Sequence, residues 1–185
     1  MLKLILGFIG QAGCGKGTAT EIMGEKYHAS SFRFSAILND ILARLHLDPS
    51  RDHFVRLSET LRKTFGEEVL SHAIAKDALE ATTDLVTIDG IRRLEDLHAL
   101  APLPHFKLIA IDVPAEIRFE RLKQRGEKTG ESTMSWEKFL SEEQRSTEIT
   151  IPETMKCAAF TISNAGTRED LEREIDAVIK KLGWT

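Results

Sequence analysis

Nine residues, Gly10-Gln11-Ala12-Gly13-Cys14-Gly15-Lys16-Gly17-Thr18, constrain this chain more than any others. They lie between an apolar run, Leu4 to Ile9, and a helical pattern, Thr20 to Tyr27. Strand, glycine-rich turn and helix is the context in which such a turn cradles phosphate. The glycines let the backbone curl until several N–H groups face one concave nest. The helix that follows adds the positive end of its dipole. Lys16 is placed to reach the outer phosphates of a nucleotide as a mobile point charge. The spacing is G-x-x-x-x-G-K, with Gly17 in the position usually held by Ser or Thr, and Thr18 next. Gly10, Gly13, Cys14, Gly15, Lys16, Gly17 and Thr18 are therefore the expected nucleotide-binding stretch.

The rest of the chain is built to surround such a loop. At 185 residues it is long enough for one well-packed α/β domain. Strand and helix patterns alternate, which predicts a five-stranded parallel sheet with helices on both faces, a three-layer α/β/α fold. The expected strands are Leu4–Ile9, Ala29–Phe34, Asp84–Asp89, Phe106–Asp112 and Ala158–Ser163. Asp84–Asp89 and Phe106–Asp112 are continuously apolar, as strands buried on both faces tend to be. Three helical patterns fall between the second and third strands, the first with Ser35 as its expected N-cap. Residues 35–82 then read as a helical insert that binds the acceptor. Helices are expected from Pro114 to Arg125, over Trp136–Glu148 and Pro152–Lys156, and from Arg168 to Leu182. Residues 126–135 are polar, contain Gly130 and read as a short lid.

Net charge is −4, which argues against a general nucleic-acid binder. No apolar run approaches the ~20 residues of a membrane span. Cys14 and Cys157 are the only cysteines, and a reducing cytoplasm is the expected setting.

A phosphate loop implies ATP, which arrives as its Mg²⁺ complex. Asp89 ends a buried strand, and with Thr18 it is the expected metal site. Asp112 is a weaker alternative. Arg92 and Arg93 follow Asp89 at a strand's C-terminal end, where open α/β sheets bind ligands, and guanidinium groups there suit an acceptor phosphate. Asp89, Arg92, Arg93 and, in the insert, Arg62 are the expected substrate contacts. Arg118, Arg121 and Arg125 share a helix face that opens onto the lid. Among them Arg121 and Arg125, with Lys16 and Arg93, are the expected catalytic cations, and Arg145 beyond the lid is a further candidate. His46 and His53 show no metal spacing. Trp136 and Phe139 read as a packing face.

The loop Gly10 to Thr18, with its G-K-G-T ending, resembles that of adenylate kinases and related nucleoside monophosphate kinases. Ile88-Asp89-Gly90-Ile91-Arg92-Arg93 resembles that family's D-G-F-P-R, with Arg93 at the acceptor-phosphate arginine and Arg92 in place of the proline. Arg118 to Gly126, Ser135 to Phe139 and Ile162 to Thr167 are closer still to the adenylate-kinase-related proteins of archaea. The resemblance covers nearly the whole chain. It implies a nucleoside-monophosphate-kinase-like P-loop fold and an adenine site near Asn164, Gly166 and Thr167. One departure stands out: Ser35-Ala36-Ile37-Leu38-Asn39 replaces the family's G-D-x-x-R.

The expected reaction is transfer of the ATP γ-phosphoryl group to a phosphorylated small molecule, foremost a ribo- or deoxynucleoside monophosphate, by a monomer or dimer. The missing G-D-x-x-R keeps open a kinase of non-nucleotide phosphates such as dephospho-coenzyme A or phosphomevalonate. A slow ATPase serving as a nucleotide-operated binding module is the alternative from another class. Gly90 stands where motor ATPases carry a water-activating glutamate, and no N-K-x-D guanine reader is present.

Overall fold

The computed structural model describes residues 3–126 and 131–184. Five strands, β1 (Leu4–Ile9), β2 (Ser30–Arg33), β3 (Leu85–Asp89), β4 (Phe106–Asp112) and β5 (Phe160–Ser163), form one sheet in the order β2-β3-β1-β4-β5. Every pairing is parallel. The chain leaves β1 toward β2 and β3 on one side and returns to β4 and β5 on the other. The loop after β1 therefore lies where the strand order reverses, the crevice at which open α/β sheets take their ligands.

Strand alternation sorts the apolar residues into two layers. Leu4, Leu6 and Phe8 point to one face, where Ala19, Ile22 and Met23 of α1 (Lys16–Tyr27) and Leu171, Ile175, Val178 and Ile179 of α9 (Arg168–Lys181) cover them. Ile5 and Ile9 point to the other, packed by α2 (Phe34–Arg44), α4 (Val69–Glu80), α5 (Leu94–Leu100) and α8 (Ile151–Met155). With helices on both faces, the central strands are buried at nearly every position, which is why their sequences read as unbroken apolar runs. The remaining helices are α3 (Arg51–Phe65), α6 (Ala115–Arg125) and α7 (Trp136–Glu143).

The expected five-stranded parallel α/β architecture is present, with local differences. Ser35 does not cap α2: Phe34 is already helical, and extended Arg33 (φ −133°, ψ 137°) holds the N-cap position without a side-chain bond. Ser50 caps α3, its Oγ accepting from His53 N at 3.2 Å. α5 forms in a stretch where no element is expected from the sequence. Its start is fixed by the Asp96 carboxylate, which accepts from the backbone N–H groups of Arg92 and Arg93 at 3.1 and 3.2 Å. The helix expected over 136–148 stops at Glu143, and the one expected over Pro152–Lys156 is present as α8. The expected lid lies partly outside the described residues, which resume at Glu131. α2, α3 and α4 do fall between β2 and β3.

Candidate active site

Gly15 begins α1 in the left-handed region (φ 98°, ψ 18°), a conformation that L side chains rarely adopt. A methyl group there would also overlap Asn164 Nδ2. Asn164 is buried at the end of β5 and donates to the Cys14 carbonyl at 2.8 Å, so it braces the loop from behind. Gly10 meets a similar limit, since a Cβ would lie 2.5 Å from both Cys14 Sγ and the Ile111 carbonyl. Cys14 is itself buried beneath the loop, and a small side chain suffices there. Lys16 folds back over the nest, its Nζ donating to the carbonyls of Gly10 at 2.5 Å and Gln11 at 3.2 Å. Thr18 stands half-buried in the first turn of α1.

Asp89 lies beside Phe8 in the sheet register, one residue from the end of β1. Its Oδ1 is buried and accepts no hydrogen bond, and its Oδ2 lies 3.6 Å from Arg33 Nε. A buried carboxylate oxygen without a partner is costly unless a ligand completes it. Mg²⁺ needs only one or two carboxylates because water and phosphate fill the rest of its shell, so Asp89 with Thr18 nearby in sequence to the nest fits that ion. Among the described residues no three His, Cys, Asp or Glu side chains gather into a protein-only metal cage.

Arg33 was missed in the sequence. It ends β2 directly opposite Asp89, and its Nη2 would lie 3.7 Å from a Cβ placed on Gly17. The edge strand thus delivers a half-exposed guanidinium over the start of α1, two residues before the stretch that lacks G-D-x-x-R. Only its strand-end position, shared with Asp89, could have pointed to it.

Arg93 sends Nη1 to Glu67 at 2.9 Å, while its buried Nε and Nη2 donate to no oxygen. Those two donors form one edge of the guanidinium, the edge that matches two oxygens of a phosphate. Asp96, almost fully buried, holds this corner together: besides capping α5, it accepts from Arg62 Nη1 at 3.2 Å and lies 4.0 Å from Arg93 Nε. Arg62 also bonds Ser58 Oγ and the Glu67 carbonyl, so its donors are largely committed within the protein. Arg92 turns the other way, to Glu148 and the Thr147 carbonyl. Asp96 and Glu67 carried no motif that would have revealed them.

The arginines of α6 divide by task. Arg118 is buried and joins three parts: the Val113 carbonyl at 3.0 Å, the Ala12 carbonyl of the phosphate loop at 3.3 Å, and the Glu143 carboxylate of α7. Its guanidinium also lies 5.3 Å from the ring centre of Phe139, which is packed with Phe119 and Trp136. Gln11 Nε2 donates to the same Glu143 at 2.8 Å, so loop and α7 are pinned twice. Arg121 grips the 164–166 turn, donating to the carbonyls of Asn164 at 2.7 Å and Gly166 at 2.9 Å. Arg125 pairs with Glu131 at 2.8 Å. Thr167 caps α9 reciprocally with Asp170. Asp112 is exposed and accepts Asn164 N–H through its carbonyl. Arg145 bonds Glu142 at 2.6 Å.

A glycine-rich nest at the switch point of a parallel sheet, closed by a lysine and ringed by arginines, defines a P-loop protein of the kinase type. The chain belongs to the AAA_17 family, an AAA domain, whose profile matches residues 9–139. It is 27% identical to UPF0200 protein MJ1399 of Methanocaldococcus jannaschii over 97% of this chain and 90% of that one. Shikimate kinase from Bacteroides thetaiotaomicron shares the fold with a TM-score of 0.64, 13% identity, and coverage of 97% and 98%. Dephospho-CoA kinase from Campylobacter jejuni does so with a TM-score of 0.54, 18% identity, and 98% of each chain. At those identities the likeness is one of fold.

Proposed function

We propose that the protein transfers the γ-phosphoryl group of ATP to a phosphorylated small molecule, with a nucleoside monophosphate as the acceptor that its motifs favour. The observation that carries this reading is a set of polar atoms that no protein hydrogen bond completes, at and just after the C-terminal end of β3: Asp89 Oδ1, and Nε with Nη2 of Arg93. The carboxylate oxygen suits the hydrated cation of a nucleotide, the arginine edge a phosphate dianion. Water activation would not need the arginine edge.

In this reading the N–H groups of residues 13–18 hold the β- and γ-phosphates. Lys16 leaves the Gly10 and Gln11 carbonyls to join them. Mg²⁺, held by Asp89 and Thr18, would neutralise charge that develops between the β- and γ-phosphates. Arg93 and Arg33 orient the acceptor phosphate, and Arg125 stabilises charge on the transferring group. An oxygen of the acceptor phosphate forms the new bond to the γ-phosphorus as its bond to the β,γ-bridging oxygen breaks, and ADP leaves with that electron pair. The acceptor phosphate is already a nucleophile, so no base need remove a proton. Arg121 holds the 164–166 turn against which the adenine lies, and so positions the nucleotide. Free cysteines at Cys14 and Cys157 suit a reducing cytoplasm.

A kinase of non-nucleotide phosphates is the second reading, favoured by the absence of G-D-x-x-R after β2. ATP turnover against nucleoside monophosphates, dephospho-coenzyme A and phosphomevalonate separates the two. A diphosphate or new phosphoester product, lost by on the order of a hundredfold or more in Lys16→Ala, supports transfer. ATP consumption that no acceptor raises above a slow background rejects it.

A further inference from the structure

A cavity of about 430 Å³ opens between the first turns of α3 and the turn that follows α7. Arg51, Arg56 and Arg145 bring guanidinium groups to it, Ser146 and Thr147 bring hydroxyls, and Asp52 is its one lining carboxylate. Glu142 stands behind it as a shared counter-ion, 3.0 Å from Arg51 and 2.6 Å from Arg145. One carboxylate divided between two guanidiniums leaves most of their ten N–H donors unused. Arg56 has no ion-pair partner among the described residues. Even after Asp52 and Glu142 are counted, the walls keep an excess positive charge.

Two contacts tie this cavity to the phosphate site. Arg92, the neighbour of Arg93, donates to the Thr147 carbonyl at 3.1 Å. Glu143, two residues before Arg145, accepts from Gln11 of the phosphate loop at 2.8 Å. Arg93 does not line the cavity. An anion seated among Arg51, Arg56 and Arg145 is therefore a different group from the phosphate facing Arg93.

We propose that this cavity binds a second anionic group of the acceptor, so that the acceptor is a phosphate monoester carrying a further phosphate or carboxylate at its other end. The inference rests on the phosphoryl-transfer reading and, between its acceptor classes, departs from a simple nucleoside monophosphate, which carries no second anion. The insert contributes Arg51 and Arg56, and the segment after α7 contributes Arg145, so the distal anion would draw the two together around the bound molecule.

The test uses the full chain saturated with ADP and Mg²⁺, with amide resonances followed while inorganic phosphate is added. The expected result is saturable movement of the amides of residues 51–56 and 145–147. Arg56→Gln should raise the half-saturating concentration about fivefold or more. Amides that stay in place, or an unaltered curve in the variant, overturn the pocket. In parallel, matched pairs are titrated: bisphosphates against the corresponding monophosphates, and phosphorylated carboxylic acids against their amides. Preference for the doubly anionic member by about tenfold, collapsing in Arg56→Gln, is expected, and the preferred pair tells phosphate from carboxylate. Absence of any such preference overturns the assignment to the acceptor. Failure of ADP itself to move the amides of residues 13–18 would instead reject the kinase reading, and the phosphate titration would still read out the pocket.

Discussion

At the residue scale, the site depends on which polar atoms are completed by the protein and which are left for a ligand. Arg33 has one weak contact, to Asp89, and reaches over the start of α1. Arg33→Ala is expected to lower turnover by about a hundredfold while leaving ATP affinity within a factor of about two, measured as kcat against nucleotide Kd. Equal loss of both would place Arg33 on the nucleotide rather than the acceptor. Asp96 presents the opposite case, a carboxylate wholly occupied inside the protein. Asp96→Asn leaves the Arg62 guanidinium without its charge partner and weakens two capping bonds, a loss of about 3 kcal/mol in urea unfolding. Because Arg93 rests on the same carboxylate, the variant should also raise the acceptor KM. The loop, Asp89 and Arg93 were legible because each belongs to a short motif whose spacing has a mechanism. Arg33, Glu67 and Asp96 were not, because their roles arise only when separate strands and helices bring them to one corner.

At the element scale, ion pairs add to apolar packing in coupling the helices that frame the site. α3 has no fully buried residue, and its first turn is tied to α7 through Arg51 and Glu142. Burial alone would push the Glu142 carboxyl up, but the Lys138 hydrogen bond and the charges of Arg51 and Arg145 outweigh it, holding its pKa below the usual 4.5. A carboxylate depressed in the folded state adds stability above its unfolded pKa and loses it as pH falls through the folded value. Glu142→Gln should therefore flatten the acid limb of the stability profile below about pH 4.5, seen as thermal midpoints that fall less steeply with acid. An unchanged limb would show that the Arg51 link is not formed in solution. The same logic explains what the sequence left unread. α6 and α9 announce themselves by an amphipathic period and α1 by the glycine loop it follows, whereas α5 is one short helix started by a single carboxylate and carries too few residues for a period to show. The break after Glu143 is equally local, since the helical pattern of residues 136–148 continues past the point where the chain turns toward α8.

At the scale of the whole molecule, both layers are tied to the sheet by burial, and within one of them a few directed bonds join its two helices. α1 and α9 are joined at their far ends from the loop, where Tyr27 donates to Asp176 at 2.6 Å and Lys26 donates to Glu172 and Asp176. Burial first, then the hydrogen bond to Asp176, pushes the Tyr27 phenol up to about 12. The proton is held more tightly in the folded state, so this contribution is complete below the unfolded pKa near 10 and is lost as pH rises through the folded value. Tyr27 is the chain's only tyrosine, so its absorbance titration is unambiguous and should have its midpoint near pH 12. A midpoint near 10 would mean that the α1–α9 contact opens in solution. The parallel order of the sheet was legible in outline from alternating elements. Which strands neighbour which was settled by pairing across the chain, beyond what local patterns hold.

The staple between Arg121 and the 164–166 turn has an evolutionary consequence. It grips two backbone carbonyls, and a carbonyl is the same whatever side chain it belongs to. The exposed Ala165 between them can therefore be exchanged without loosening the turn. A lineage, or a mutagenesis library, can revise what this turn touches one residue at a time while its position in space is inherited unchanged.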